Sequence, residues 1–181
     1  MKIIFSLILT CLTYVAYSQL DGSYQNLVNR PEAKGLDVSI YVPDGWFFSA
    51  EREDGPISLS NSTGSDVIFI TIKRLPTFYS RRMSNEIFRG EEYVQTLTEE
   101  LKGKYGKVEL ISSKIISVST YPALYADFKI EVQRIEAPLF LDLHFVQVFY
   151  EDYSLTFGLT SELIPELQRV IETIRFENEN K

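Results

Sequence analysis

The residues best suited to chemistry lie in two apolar stretches late in the chain. Asp142 and His144, the only histidine, fall two positions apart in LFLDLHFVQVFY, and Asp127, Lys129 and Glu131 alternate in ALYADFKIEV. Carboxylate oxygens and an imidazole nitrogen are common ligands of divalent metal ions. One interpretation is therefore a metal site formed by Asp142, His144 and Glu131. The other, which we favour, is a solvated sheet face crossed by ion pairs.

Alternation of residue types predicts that both stretches are strands. In the stretch from Ala123 the even-numbered residues are apolar and the odd-numbered ones are polar or aromatic. In the stretch from Leu139 most odd-numbered residues are apolar, whereas the even-numbered ones change from polar to apolar toward Tyr150. Such a period of two is typical of a strand with one face in the core. A helix that covers only part of the second face would explain the change.

A link of four residues, 135–138, joins the two strands and predicts an antiparallel hairpin. With that link the polar faces coincide, so that Glu131 opposes Asp142 and Lys129 opposes His144. A pairing shifted by one two-residue step keeps the same faces together and is the alternative. In either register the carboxylates and the histidine share one face of the sheet.

Catalysis has little support elsewhere in the sequence. Serine–histidine–acid chemistry would have to use His144, and there is no GxSxG segment to present a serine. The sequence also lacks the phosphate-binding patterns GxxxxGK[ST] and GxGxxG. A carboxylate pair of Glu131 and Asp142 would lie on a flat strand surface without a predicted cleft. We therefore expect no enzyme activity and no cofactor.

The first residues predict a secretory signal peptide, residues 1–18. Lys2 is followed by an apolar run too short to span a bilayer, and then by Ala16 and Ser18, small residues that typically precede a cleavage site. An uncleaved membrane anchor and a lipoprotein modified at Cys11 are the alternatives. We expect export to the periplasm or the cell exterior, with no transmembrane segment after cleavage.

The composition is typical of one globular domain that is held together by its core. Cys11 is the only cysteine and would leave with the signal peptide, which argues against disulfides, thiol catalysis and cysteine-based metal sites. The net charge of −7 disfavours nucleic acid, which selects clustered Lys and Arg. We expect a polar lead-in over residues 19–35, a single domain over residues 36–176 and a polar tail over residues 177–181.

The order of the elements predicts an α+β fold. A set of strands ends in DVIFITIKRL, whose nearly continuous apolar character suggests a strand buried on both faces. A helix is predicted over residues 90–106, followed by four strands and a last helix from near Ser161. Only Glu151 and Asp152 join the last two strands, which requires antiparallel neighbours. We expect an antiparallel sheet of about six to seven strands with helices on both faces.

The link before the first helix carries the candidate partner-binding residues. Tyr79, Arg81 and Arg82 lie in or beside the one basic cluster of the chain, KRLPTFYSRR. An aromatic ring beside two guanidinium groups is suited to contact with a protein partner. A solvated loop without such a role is the alternative.

Three segments resemble the PsbP-like family. VSIYVPDGW is similar to the opening strand and turn of these domains, VSTYPALYADF to the turn into their central hairpin, and YSLTFGLT with ELIPELQRVIETIRF to their last strand and helix. The resemblance spans about residues 35–176, and the family includes bacterial periplasmic members such as DcrB. It implies an α/β/α sandwich around an antiparallel sheet, no catalytic residues, and a function in binding or assembly. Partners differ between members, so the resemblance does not identify one.

Two functions are consistent with the sequence. The first is a secreted or periplasmic, non-catalytic binding or assembly module with a protein partner in the cell envelope. The second is a carrier of a small ligand or a metal ion. A carrier would use an apolar pocket between the sheet and a helix, near Val146, Val148 and Tyr150.

Overall fold

The computed structural model describes residues 22–50, 56–133, 137–160 and 164–177. The predicted signal peptide and residues 178–181 of the predicted tail lie outside these ranges. Among the described helices none combines the length and apolar character needed to cross a membrane. The elements are β1 Gly22–Asn26, β2 Val38–Pro43, β3 Trp46–Ser49, β4 Ile57–Asn61, β5 Val67–Tyr79, α1 Arg81–Arg89, α2 Glu91–Tyr105, β6 Lys107–Val118, β7 Tyr121–Val132, β8 Leu139–Leu159, α3 Ile164–Glu172 and β9 Arg175–Phe176.

The strands form two antiparallel sheets. The large sheet has the order β3-β4-β5-β8-β7-β6, and a small one has the order β1-β2-β9. Helices α1 and α2 pack on one face of the large sheet, and α3 packs on the other face together with the small sheet. We call these the α2 face and the α3 face. The arrangement confirms the predicted α+β fold, with an antiparallel sheet and helices on both faces.

Strand β8 folds back on itself and supplies two neighbouring limbs of the large sheet. The Gln147 side-chain amide donates to Ser154 Oγ at 2.9 Å. Seven extended residues would span about 23 Å, so the chain must reverse direction between these two residues. Near the ends of the limbs, a Cβ placed on Gly158 would lie 3.6 Å from Leu143 Cδ1. The reversal falls at Glu151, where φ is +54°. The two limbs are antiparallel neighbours joined by a tight turn. The first limb pairs with β7 on its other side, and the second pairs with β5.

Strand β7 separates the two cores of the domain through its alternation. Leu124, Ala126, Phe128 and Ile130 are buried on the α2 face, against residues such as Phe88 of α1. The odd-numbered residues of β7 lie on the α3 face. This confirms the division into an apolar and a polar face that the sequence predicted for β7.

The small sheet and α3 fill one end of the α3 face. Val38 of β2 pairs with Phe176 of β9, and the ring of Phe176 stacks on Tyr150 with centroids 4.0 Å apart. From α3, Leu167 and Val170 are fully buried in the same core. Because β1 also pairs with β2, both ends of the described chain join the same strand.

The segment predicted as a polar lead-in contains folded structure from Gly22 onward. Strand β1 pairs with β2 over five residue pairs, and a short 3₁₀ turn follows at Pro31–Ala33. Leu27 and Ala33 are fully buried in the core of the α3 face. Main-chain pairing and two anchoring side chains order this segment, although its residue types show no period.

The link predicted as a loop before the first helix is largely helix α1. The Ser80 hydroxyl accepts a hydrogen bond from the backbone N–H of Met83 at 3.2 Å and caps the helix. Ser84 and Phe88, four positions apart, are its buried residues. The helix spans only nine residues, which is shorter than the window of about 11–18 residues over which a helical period is recognised in a sequence.

The prediction that β5 is buried on both faces is wrong. Ile68, Ile70 and Ile72 are buried on the α3 face, but Phe69 on the α2 face is 43% exposed. Helices α1 and α2 contact mainly β6, β7 and β8, which leaves this ring partly in solvent. Phe69 lies directly opposite Gly158, a strand position that has no side chain to pack against the ring.

Candidate functional site

The polar residues of the central hairpin meet in the shifted register. Asp127 opposes His144 and Lys129 opposes Asp142, while Glu131 opposes Phe140. This is the alternative pairing, one two-residue step from the first. Both pairings keep the same faces together, and the polar side chains accordingly lie on the α3 face beyond the end of α3.

Asp127 is the centre of a hydrogen-bonded network. Its Oδ1 lies 2.7 Å from His144 Nδ1, and its Oδ2 accepts from the Ser112 hydroxyl of β6 at 2.7 Å. The Tyr125 hydroxyl lies 3.3 Å from the same histidine nitrogen. The short contact to a carboxylate requires that Nδ1 of His144 carry a proton.

The network shifts the acidity of two of its members. Partial burial alone would raise the pKa of Asp127, but hydrogen bonds from Ser112, His144 and Tyr125 stabilise the carboxylate and hold the pKa below its usual value of 3.8. Burial and the neighbouring Asp127 carboxylate together raise the pKa of Tyr125 to about 12. Asp127 is therefore ionised and Tyr125 protonated at neutral pH.

The order of the contacts differs from that of a catalytic triad. In a triad the histidine lies between the serine and the acid, where it takes the proton of the serine hydroxyl. Here Ser112 and His144 bind different oxygens of Asp127, and the serine proton points to the carboxylate. The arrangement holds the three strands together but does not prepare Ser112 as a nucleophile.

The predicted metal ligands Asp142, His144 and Glu131 are not brought together as a group. Glu131 forms an ion pair with Lys107 of β6 at 3.0 Å, and the exposed Asp142 lies opposite Lys129. Within the described ranges no group of three or more His, Cys, Asp or Glu side chains is placed to hold a metal ion. The contacts agree with the other interpretation, a solvated face crossed by ion pairs.

A groove opens beside this network, between α3 and the outer strands β6 and β7. It has a volume of about 290 Å³. Tyr125 connects the two features, because it lines the groove and its hydroxyl reaches His144. Lys114 Nζ lies 4.9 Å from the centre of the Tyr125 ring. The lining residues are Lys114, Ile116, Ser117 and Tyr125 from the sheet and Ile164, Leu167, Gln168, Ile171 and Glu172 from α3.

The groove lies away from the site predicted for a ligand pocket. Val146, Val148 and Tyr150 are at most 2% exposed, and α3 and the small sheet fill the space above them. These three residues therefore do not line the groove, although Tyr125, which does line it, lies opposite Val146 in the strand pairing. The open space lies one to two strands further out, where Ile116 and Tyr125 interrupt an otherwise polar surface. This pair of apolar and aromatic residues on a polar surface is the sequence feature from which the groove could have been predicted.

The fold has known counterparts among solved structures. No protein-family model matches the chain, and no curated protein matches it. The solution structure of cyanobacterial PsbP (CyanoP) from Synechocystis is similar with a TM-score of 0.55 and 10% identity, over 89% of this chain and 96% of that one. The chain has the PsbP-like fold. At this identity the similarity shows the fold alone.

A second similar structure comes from Bacteroides thetaiotaomicron. Its crystal structure matches with a TM-score of 0.53 and 12% identity over 80% of this chain. The match covers 46% of that chain, so the PsbP-like domain described here spans less than half of its length.

The three candidate partner-binding residues lie at the end of β5 and the start of α1 in this PsbP-like fold, and none of them lines the groove. The ring of Tyr79 packs on Phe149 with centroids 4.8 Å apart. The Arg81 guanidinium lies 4.4 Å above the ring of Tyr121. Arg82 forms an exposed ion pair with Glu86 at 2.9 Å. Each side chain thus has a contact within the domain.

Proposed function

We propose that this protein is an exported, non-catalytic binding or assembly module that receives a protein partner in the cell envelope. The groove between α3 and the outer strands is the observation that supports the proposal most. Its apolar floor is open to solvent at Ile164, which is 39% exposed at the start of α3. A partner side chain placed there would remove this apolar surface from water, which favours association.

The size of the groove suits part of a partner. A volume of about 290 Å³ lies at the lower end of the range of small-molecule sites, about 300–1,000 Å³. It has room for a few apolar side chains of a protein whose remaining surface lies outside the groove. The neighbouring network supports a binding role as well, because its hydrogen bonds fix Tyr125 at the rim.

The surroundings of the groove indicate which partners fit. The chain carries a net charge of −7, which disfavours nucleic acid and anionic membrane surfaces. The N-terminal segment with signal-peptide character supports export, so the partner would be a protein of the periplasm, the envelope or the cell exterior.

A carrier of a small ligand is the second candidate. Lys114 at the rim and the apolar floor together suit an amphipathic molecule with an anionic group. The groove rather than the space near Tyr150 would hold such a ligand. A single bound small molecule would distinguish this function from assembly.

Native mass spectrometry of the protein isolated from its own envelope fraction, without chelators, tests both functions. We expect the wild-type protein to form a complex with a second protein. The variant Ile164→Glu, which places a charge at the groove, should not form this complex. Val28→Glu is the matched control, since Val28 is also exposed, at 46%, and does not line the groove.

Each result of this measurement has a defined meaning. An added mass of small-molecule size that Ile164→Glu removes would replace the assembly module with the carrier. A complex that persists in Ile164→Glu, or a free chain in every preparation, would contradict the use of the groove.

A further inference from the structure

We propose that the free edge of β6 receives an extended segment of the partner protein as an additional strand of the large sheet. The segment carries an Asp or Glu opposite Lys114 and apolar residues at alternating positions. This inference rests on the proposed function, since it specifies how the partner is bound.

The first support is the length of the free edge. β6 lies at the end of the large sheet and, among the described residues, pairs only with β7. It has 12 residues, whereas β3 at the opposite end of the sheet has only four. An edge strand presents main-chain N–H and C=O groups that another extended chain can pair with. Short edge strands offer little of this, so β6 is the edge suited to strand addition.

A regular stretch of β6 is long enough to hold a strand. The register with β7 shifts between Leu110 and Ser112, where Ile111 bulges out and is 57% exposed. A bulge of this kind interrupts pairing. From Ser112 to Val118 the register is continuous over seven pairs. Strands average about five to six residues, so this stretch accommodates one of ordinary length.

Open grooves flank β6 on both faces of the sheet. The first is the groove under α3, which contains Ile116. A second, of about 450 Å³, lies on the α2 face between α2 and β6, and is lined by residues that include Val94, Thr98, Leu110 and Ser113. An added strand would lie about 4.8 Å beyond β6, with its side chains pointing alternately to the two faces. Its residues would therefore enter the two grooves in turn. Residues that face the α3 groove meet Ile116 and Ile164, which select apolar side chains, whereas the second groove is also lined by charged residues such as Glu91 and Lys102 and admits polar ones.

Lys114 specifies one charged position of the added strand. Along the α3 face of β6, Lys107 has Glu131 across the strand pair, and Glu109 has Lys129. Lys114 instead lies opposite Tyr125, whose ring carries no charge. A carboxylate placed opposite Lys114 from the other side would supply the missing cross-strand partner.

A second copy of this chain is a poorer occupant of the same edge. Symmetric antiparallel pairing of two β6 strands that sets Glu109 against Lys114 would place both bulged Ile111 residues at the centre of the interface. That register sets each Ile111 opposite Ser112 of the other copy and disrupts the main-chain hydrogen bonds at the centre. A symmetric register centred on Ile115 avoids the bulge but sets Lys114 opposite Ile116 and leaves it without a carboxylate partner. The geometry of β6 therefore favours a separate protein.

Peptide selection followed by hydrogen exchange tests the inference on the protein purified from its own envelope. A random 12-residue phage-displayed library supplies the probe peptides. We expect selected peptides with alternating apolar residues and one Asp or Glu. Their binding should slow amide exchange in residues 112–118 and leave the other edge strand, β3, unchanged.

Charge exchange makes the test specific to Lys114. Lys114→Glu should weaken binding of the acidic peptide about fivefold, and replacing the peptide carboxylate by Lys should restore it, as a cross-strand pair worth about 1 kcal/mol implies. Lys73→Glu is the matched control, because Lys73 is also an exposed lysine but lies on β5.

The failure of strand addition is distinguishable from that of the proposed function. Strand addition is overturned if the peptides bind without protecting residues 112–118, or if Lys114→Glu does not change their binding. The groove remains a binding site in that case if Ile164→Glu abolishes the binding. A dimer of the protein that Lys114→Glu dissociates makes a second copy the occupant and overturns the separate partner. If no peptide is selected and native mass spectrometry finds only the free chain, both proposals fail.

Discussion

The two ends of the α3 face are built from the same three strands, β6, β7 and β8, yet one end is dry and the other is wet. At the dry end, Ala123 and Val148 are opposite each other and fully buried. At the wet end, Lys129 and Asp142 are opposite each other and exposed. The difference lies in α3 and the small sheet, which cover only the first end. Strand pairing alone does not bury a sheet face; a covering layer does.

The two ends of this sheet face therefore contribute differently to the stability of the fold. Apolar burial at the dry end stabilises the fold, whereas exposed ion pairs at the wet end contribute less than about 1 kcal/mol each. The groove and the Asp127 network lie at the border between them. A binding site at such a border can be altered without unfolding the domain.

Removing the main anchor of the covering helix should have the largest effect. Leu167 of α3 is fully buried, and Leu167→Ala should lower the free energy of unfolding by about 2–5 kcal/mol through lost burial and the cavity left behind. Urea denaturation followed by circular dichroism measures the change. Gln168→Ala, at an exposed position of the same helix, is the control and should change stability by less than about 0.5 kcal/mol. Equal effects of the two variants would contradict the claim that apolar burial at the dry end stabilises the fold.

The border should respond to pH through Asp127. Asp127→Asn should lower stability at pH 7 by about 1 kcal/mol, because the hydrogen bonds to an ionised acceptor are lost. The folded-state pKa of Asp127 lies below its usual value of 3.8, so the carboxylate stabilises the fold above pH 3.8 and ceases to do so as the pH falls through the folded-state value. The stability gap between wild type and variant should therefore close below pH 3.8. A gap that is constant from pH 7 to pH 3 would show that the charge has no part in it.

The wet end should contribute a smaller coupling between its charges. A double-mutant cycle of Lys107→Ala and Glu131→Ala should give an interaction energy of about 0.2–1 kcal/mol, since Lys107 is largely exposed although its pair with Glu131 is short. Chemical denaturation of the four proteins measures it, and high salt should reduce it. A value above about 2 kcal/mol would mean that this end is not solvated.

The smallest effect is expected at Phe140, the apolar residue of the wet end. Its side chain is 57% exposed, so Phe140→Ser should change the free energy of unfolding by less than about 0.5 kcal/mol. Thermal and urea unfolding of the variant test this. A large loss of stability would indicate a covering contact over the wet end in solution, which would make the two ends alike.

The sequence predicted the pattern of faces but not the final register or the groove. The alternation in β7 and β8 was enough to place Asp127 and His144 on one polar face. A shift of two residues leaves that alternation unchanged, so the pattern cannot decide whether Lys129 meets His144 or Asp142. Ile116 and Tyr125 on a polar surface mark where the groove lies, but its size depends on how far α3 stands from β6, a distance set by tertiary packing.

The misassigned segments have a related physical cause. β1 has no buried side chain, and α1 spans only nine residues, so neither segment offers a pattern long enough to recognise in the sequence. Phe69 was expected to be buried because β5 is rich in apolar residues. Its exposure follows from where α1 and α2 end, which the sequence of β5 does not contain.

The pairing of β2 with β9 has a consequence for the synthesis of the chain. The Ser39 hydroxyl donates to Glu177 Oε1 across 138 positions, beside the pairing of Val38 with Phe176. A ribosome produces β2 before any strand of the large sheet and β9 after all of them, so β2 must wait for the large sheet to be synthesised before its second neighbour exists. Until then Tyr150 lacks the ring on which it stacks, and the nascent domain presents an open apolar surface. The closing step of folding is thus timed by the synthesis of β9.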